Sequence, residues 1–443
     1  MRKIAVIGAG GYVFPLTMIR DVCAFPELAD SAFALMDIDG ARLERTATTA
    51  RALVGEFGLP AAIESTTDRR DALDGADFVI VTWQVGGLDA YRHDVEIPRE
   101  YGVDQPVGDT LGPGGIFRGL RTIEALKDLC ADMRDVCPDA LMINYANPMA
   151  INTWAAYELG VNVVGLCHSV QGTSALLARE VGVPIEECSY RAAGLNHQAW
   201  FIQFEHNGRD LIPVIRERIV AKHLGPGGAG DAADELYAGG QERVRAELTQ
   251  LTGCFHSESS HHGSEYSPWF RKDAETVLEY LPQRWDYYEI CRSHDETGQG
   301  ERFLASAREH GLNAGHEYGA YIIHSMTTGR PRVIHGSVRN DGIITNLPQG
   351  CAVEVPCLVD GNGVQPVVVG DLPPACAAVN RACVNAQELA VRAGLTGDRE
   401  LACAAVAMDP LTGALCTLPQ VRRMVDRLIE AEARWLPSFG AAP

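Results

Sequence analysis

No run of eighteen or more apolar residues occurs in the 443-residue chain, and none of its thirteen cysteines forms a C-x-x-C pair. The first absence excludes a membrane-spanning helix, which needs about twenty such residues. The opening residues, Met1 to Gly8, lack the long apolar stretch and small-residue cleavage site of a secretory leader. An odd cysteine count without such a leader reads as reduced thiols, and the expected location is the cytoplasm. Basic residues are also scarce: 38 Lys and Arg stand against 58 Asp and Glu, a formal charge of −20. That balance argues against a nucleic-acid partner, whose phosphates need a basic face.

What is present is ordinary for a globular enzyme, with 46 % hydrophobic and 22 % charged residues. The length favours two domains. In the first 200 residues, short apolar runs alternate with helical stretches. Lys3–Ile7, Ser31–Met36, Asp77–Thr82, Ala140–Asn144 and Val163–Leu166 read as strands, with helices over Pro15–Phe25 and Ala41–Phe57. Continuous apolar strands separated by helices predict an α/β fold, a doubly wound parallel sheet covered on both faces. Further on, Gly225–Gly230 reads as a loop, and Arg332–Val338 is expected to meet Ile343-Ile344 across a hairpin turn at Asn340-Asp341-Gly342. Ala352–Leu358 and Val364–Val369 follow as strands. The expected division is a Rossmann-like unit over 1–195 and a mixed α/β unit over 196–443, which carries substrate and oligomer contacts.

Gly8, Gly10 and Gly11 lie directly after the first strand and open a helix, the place where a Rossmann fold binds pyrophosphate. The third glycine of G-x-G-x-x-G is replaced by Val13. The second strand ends in Met36-Asp37-Ile38-Asp39, and Asp37 is the acidic residue expected on the ribose hydroxyls. An acid there favours NAD over NADP.

Polar, ligand-capable groups follow three further strand-like runs: Asn147-Pro148, Cys167-His168 and Asn196-His197. In doubly wound sheets, ligands sit outside the carboxyl ends of the strands. A lone buried Cys or His is more often core than ligand; three such ends beside a nicotinamide are candidates for a metal and substrate site.

Asn147-Pro148, Cys167-His168-Ser169-Val170, Gly194-Leu195-Asn196-His197 and Ser264-Glu265-Tyr266-Ser267-Pro268-Trp269 resemble the motifs of glycoside hydrolase family 4. Gly108–Gly115 and Val338–Gly342 extend the resemblance along nearly the whole chain, and it is strongest to the α-galactosidases of the melibiase type. The resemblance implies NAD and a divalent metal, usually Mn²⁺, as cofactors. It implies that Cys167 and His197 bind the metal together with the sugar's O2 and O3. Tyr266 would remove the C2 proton, His168 would help protonate the departing oxygen, and Asn147 would contact the sugar beside the nicotinamide. Such an enzyme oxidises C3, so that C2–H becomes acidic, eliminates the C1 substituent, adds water and returns the hydride. A homodimer or homotetramer is implied as well.

The Cys-His-Ser-Val form resembles the galactosidase group, where phosphoglycosidases carry Asp or Asn after the Cys. The main alternative is an α-galacturonidase or other uronidase, which needs a cation near C6. Arg271, five residues past Tyr266, is the candidate, expected as a solvated surface residue. A different class, an NAD-dependent hydroxyacid dehydrogenase, would need a His–Asp pair and a carboxylate-gripping Arg. A non-catalytic NAD sensor would leave Cys167, His197 and Tyr266 without a role.

Overall fold

The computed structural model describes residues 1–225, 242–294 and 297–440. Of the expected Gly225–Gly230 loop, all but Gly225 lies outside the described residues. Six strands make the N-terminal half of the sheet: β1 (Lys3–Ile7), β2 (Ala32–Met36), β3 (Ala62–Thr66), β4 (Phe78–Val81), β5 (Leu141–Asn144) and β6 (Val163–Gly165). They are parallel and lie side by side as β3-β2-β1-β4-β5-β6, the dinucleotide-binding order. β4 and β5 are buried along their whole length, which is why they stand out in the sequence as apolar runs. β3 does not stand out. It is the edge strand, half-exposed, and its Ala-Ile-Glu-Ser-Thr sequence alternates instead of running apolar.

The later strands are β7 (Cys188–Leu195), β8 (Gln198–His206), β9 (Arg209–Asp210), β10 (Phe255–His256), β11 (Arg332–Arg339), β12 (Ala352–Asp360) and β13 (Gly363–Pro366). They continue the same sheet in antiparallel fashion, as β6-β11-β12-β7-β8-β10. The junction is the Ser337–Gly165 pair between β11 and β6. A Cβ at Gly165 would lie 2.5 Å from both Met149 Sδ and Thr153 Oγ1, so only glycine lets the crossing strand and the helix Met149–Glu158 close together there.

The hairpin expected at Asn340-Asp341-Gly342 does not form. β11 pairs with β12, and residues 340–351 make a wide connection between them. The reason is Asn340, which is buried and serves as an internal hub. Its Nδ2 donates to the carbonyls of Ile344 and Pro348 at 3.0 and 2.9 Å, and its Oδ1 accepts from Ile344 N at 2.9 Å. Asn340 thus organises a loop where a hairpin turn residue would have faced solvent.

The last long helix, Leu418–Glu432, buries Val421, Met424, Val425 and Leu428 along one stripe against the chain's own core. Among the described residues no helix is long and apolar enough to cross a membrane.

Candidate active site

The dinucleotide elements come together at the carboxyl ends of β1 and β2. Gly8 has φ of +89°, and a Cβ there would sit 2.7 Å from Trp83 N. Gly10 N donates to Asp37 Oδ2 at 2.8 Å, while Asp37 Oδ1 accepts from Asp39 N at 2.9 Å. Asp37 is thus fixed against the glycine turn. The helix Val13–Cys23 begins at Tyr12 without a side-chain cap, which leaves its first N–H groups facing outward from the turn. Gly11 is open: a Cβ on it would meet nothing within 4 Å. Gly8→Ala combines a left-handed backbone with a clash against main chain. The expected result is a loss of about 2–4 kcal/mol of unfolding free energy, read from urea denaturation.

The second cluster lies at the ends of β5 and β6 and at the β7–β8 turn. Cys167 and His168 link β6 to the helix Ser169–Val181, and His168 is that helix's N-cap. Leu195 pairs with Gln198, so Asn196-His197 forms a two-residue hairpin loop, and this loop is buried. His197 has φ of +60°, a conformation that turns usually give to glycine or asparagine. Strain of about 1–2 kcal/mol on a non-glycine residue persists where the surroundings hold it, and such residues collect at functional sites. Four contacts hold it here. His197 Nδ1 lies 3.1 Å from Thr110 Oγ1 and 3.2 Å from Tyr266 Oη; Nε2 lies 3.2 Å from Cys167 Sγ and 3.6 Å from Glu258 Oε2.

Tyr266 follows directly on the short helix Ser260–Glu265. His262 and Tyr266 are four residues apart and share a face, with His262 Nδ1 2.6 Å from Tyr266 Oη. The carboxylate of Glu265 accepts from Val107 N and Gly108 N at 2.9 and 3.0 Å and pins the loop carrying Asp109 and Thr110 against Tyr266. Burial pushes Glu265 up to about 7, against the opposing pull of Arg271 and these amides. Asp109 Oδ2 accepts from Asn147 Nδ2 at 2.9 Å, which brings Asn147 into the same constellation. His168 stands apart. It is exposed, and its Nε2 lies 2.8 Å from Glu317 Oε1; that hydrogen bond raises its pKa, against the opposing effect of burial.

Two sets of ligand-capable atoms lie within 4.8 Å of one another: Cys167, His197 and Glu258, and Asp109, His197 and His262. Burial alone would raise the Cys167 thiol, but the His197 charge and hydrogen bond bring it down to about 7. Burial also works against the Glu258 carboxylate, yet the charges of His262 and His197 and the Ser259 amide hold it below the usual range. Tyr266 goes the other way: burial, then the charges of Asp109, Glu265 and Glu258, push its phenol well above 10.

The sequence pointed to Cys167, His197, Tyr266 and Asn147, and these meet in space. It missed Glu258, His262, Glu317 and the anchoring role of Glu265. The available signal was the spacing of His262 and Tyr266 on one helical face. Arg271 corrects an expectation. It is buried, not solvated; its Nε donates to Ser264 Oγ at 2.8 Å and its Nη1 to Asp104 O at 3.1 Å. Its charge is spent bracing the segment that leads to Tyr266.

Fold and site together define an enzyme with a dinucleotide-binding sheet and a Cys–His–Glu cluster at the carboxyl edge of its strands. Residues 3–183 match the model of family 4 glycosyl hydrolases, and residues 192–412 match that of the family 4 glycosyl hydrolase C-terminal domain. The chain belongs to glycosyl hydrolase family 4 and is a glycoside hydrolase. It is 39 % identical to an alpha-galactosidase of Rhizobium meliloti (strain 1021), over 99 % of this chain and 90 % of the relative. It is 36 % identical to an alpha-galactosidase of Bacillus subtilis (strain 168), over 99 % of this chain and 100 % of the relative. Its fold matches a 6-phospho-alpha-glucosidase from gut microorganisms, solved with NAD and Mn²⁺, with a TM-score of 0.79 at 21 % identity over 98 % and 99 % of the two chains.

Proposed function

We propose that this chain hydrolyses α-galactosides using bound NAD and a divalent metal, Mn²⁺ above all. The observation that carries the proposal is the contact chain Cys167–His197–Tyr266, with Glu258 beside it. It puts a candidate base and a candidate metal set on one buried imidazole. The substrate class is supported by the two alpha-galactosidase relatives. Glycosidases of family 4 depart from the two-carboxylate rule by depending on NAD.

The residues present fit both groups. A Cys–His pair is a sparse set for an ion that favours oxygen, and Glu258 supplies the oxygen. The Gly8–Gly11 turn, the uncapped helix after it and Asp37 fit a dinucleotide; each Asp37 oxygen keeps a lone pair for a ribose hydroxyl after its bond to Gly10 N or Asp39 N. When bound, NAD takes up and returns a hydride at C3 and the metal stabilises negative charge on the adjacent oxygens.

The chain's own residues do the rest. Tyr266 Oη is the group that takes the C2 proton; burial raises its phenol, and a dication held by Cys167, His197 and Glu258 beside it would favour the phenolate, while His262 Nδ1 fixes its position. His168 protonates the departing glycosidic oxygen, with its ring oriented by Glu317. Asn147 contacts the sugar, and Asp109 holds its amide. Arg271, the cation sought for the α-galacturonidase alternative, is committed inside the protein, and the two alpha-galactosidase relatives favour the galactoside.

We place the boundary of the two units between 195 and 196, a few residues past the gap between the family models, the first ending at 183 and the second beginning at 192. Thirteen free thiols support a cytoplasmic location, and the family resemblance supports a homodimer or homotetramer. The test is hydrolysis of p-nitrophenyl α-galactoside by the metal-free, NAD-free protein after adding back NAD, Mn²⁺ and thiol reductant singly and together. Turnover that requires NAD and Mn²⁺ together, with no net NADH accumulation, is the expected result. Equal turnover without NAD would overturn the proposal.

A further inference from the structure

Arg118 and Arg121 stand one turn apart on the helix Gly112–Val136, and both are buried. Arg121 is fully partnered. It donates to both oxygens of Asp94 at 2.8 and 2.6 Å, to Glu432 Oε2 at 3.0 Å and to Val85 O at 2.8 Å. Arg118 is 9 % exposed, and among the described residues its Nε and Nη1 meet no acceptor. A guanidinium withdrawn from water with unmet donors is costly, and it persists where a ligand supplies the acceptors.

Its surroundings describe that ligand. The guanidinium lies over the Tyr91 ring at 5.2 Å, and Tyr91 Oη donates to Val107 O at 2.5 Å, on the loop that carries Asp109. Asp109 is the residue that also holds Asn147, so Arg118 lies on the Asp109 side of the constellation. Next to it, half-buried Trp285 and Tyr287 have ring centroids 5.1 Å apart, and Trp285 lies 6.2 Å from the His262 ring. Half-exposed aromatic faces beside a few fixed donors make the lining of a small-molecule pocket. The α-galactoside reading makes that ligand a neutral hexose, whose hydroxyl oxygens would accept from the guanidinium.

We propose that Arg118 determines specificity at the sugar site, donating through Nε and Nη1 to hydroxyl oxygens of a neutral hexose that lies along Trp285 and Tyr287. This rests on the α-galactoside reading above. The test compares holoenzyme variants on p-nitrophenyl α-galactoside and on an α-galacturonide. Galactose affinity is measured by calorimetry with NAD and Mn²⁺ present, and NAD affinity with no sugar. Arg118→Gln is expected to lower kcat/KM for the galactoside about 100-fold, mainly through KM, with galactose binding weakened in parallel and NAD binding within twofold. Arg118→Lys keeps the charge but not the fork and is expected to lose about tenfold; Trp285→Ala is expected to raise KM by a similar factor. If Arg118→Gln does not fold, the lysine and Trp285 variants decide. Folded variants within threefold of wild type on galactose affinity and KM would overturn the inference. A wild type that prefers the galacturonide, and loses that preference in Arg118→Gln, would overturn the neutral-sugar assignment. A wild type that cleaves neither glycoside would overturn the functional reading beneath it.

Discussion

Tyr266→Phe is expected to lower kcat on α-galactosides about 10³-fold while leaving KM and NAD affinity within a few-fold of wild type. The phenylalanine ring fills the same buried space, so the fold stays intact, but the proton acceptor at C2 is gone. General-base groups contribute roughly 10²–10⁴ to rate. The deletion also leaves His262 Nδ1 without its 2.6 Å partner and removes one of the contacts that hold His197 in its left-handed conformation. A stability loss of about 1–3 kcal/mol should accompany the kinetic one, from the imidazole nitrogens left unmet. Steady-state kinetics with a parallel urea melt separates the two effects. A kcat within tenfold of wild type, measured on well-folded protein, would remove Tyr266 from the chemistry.

The second large effect is expected at Glu258. Glu258→Gln keeps the shape and one oxygen but loses the charge that sits 3.6 Å from His197 Nε2. If Glu258 completes the metal set with Cys167 and His197, half-maximal activation should require at least about 100 times more Mn²⁺, with kcat largely restored at saturation. Changes in groups that merely orient the ligands cost about 10–100-fold in metal affinity, so a ligand should cost at least that much. Mn²⁺ binding followed by calorimetry in the absence of sugar gives an independent reading. An unchanged Mn²⁺ requirement would leave Glu258 as a charge partner of the histidines only.

The parts of the fold legible in the sequence were those where burial leaves a local pattern. β4 and β5 show as apolar runs because both faces are covered, and the Gly8–Gly11 turn shows because Gly8 takes a left-handed backbone and neither Gly8 nor Gly10 has room for a Cβ. β3 stayed hidden because an edge strand is only half buried and can carry Glu64 and Ser65. The Asn340-Asp341-Gly342 turn misled because turn-forming residues have the same composition whether they face water or, like Asn340, organise a loop from within. The site divides in the same way. Cys167, His197, Tyr266 and Asn147 were readable from motif resemblance. His262 offered only its four-residue spacing from Tyr266; Glu258 and Glu317 sit in polar stretches with no periodicity, and only the fold brings position 258 beside 167 and 197, or 317 beside 168. Arg271 and Arg118 make the point most sharply. Both are buried arginines, and only their hydrogen-bond partners distinguish a brace from a cation with donors to spare.

The central claim is that the glycosidic bond breaks by elimination after proton removal at C2, not by displacement at C1. Hydrolysis of an α-galactoside by the NAD- and Mn²⁺-loaded enzyme in D₂O, with the released galactose analysed by NMR, tests it most directly. Deuterium at C2 of the product is the predicted result, with product formation itself falling about 10³-fold in Tyr266→Phe. Product carrying only protium at C2, formed at full rate, would show that the bond breaks without C2 chemistry and would contradict the account.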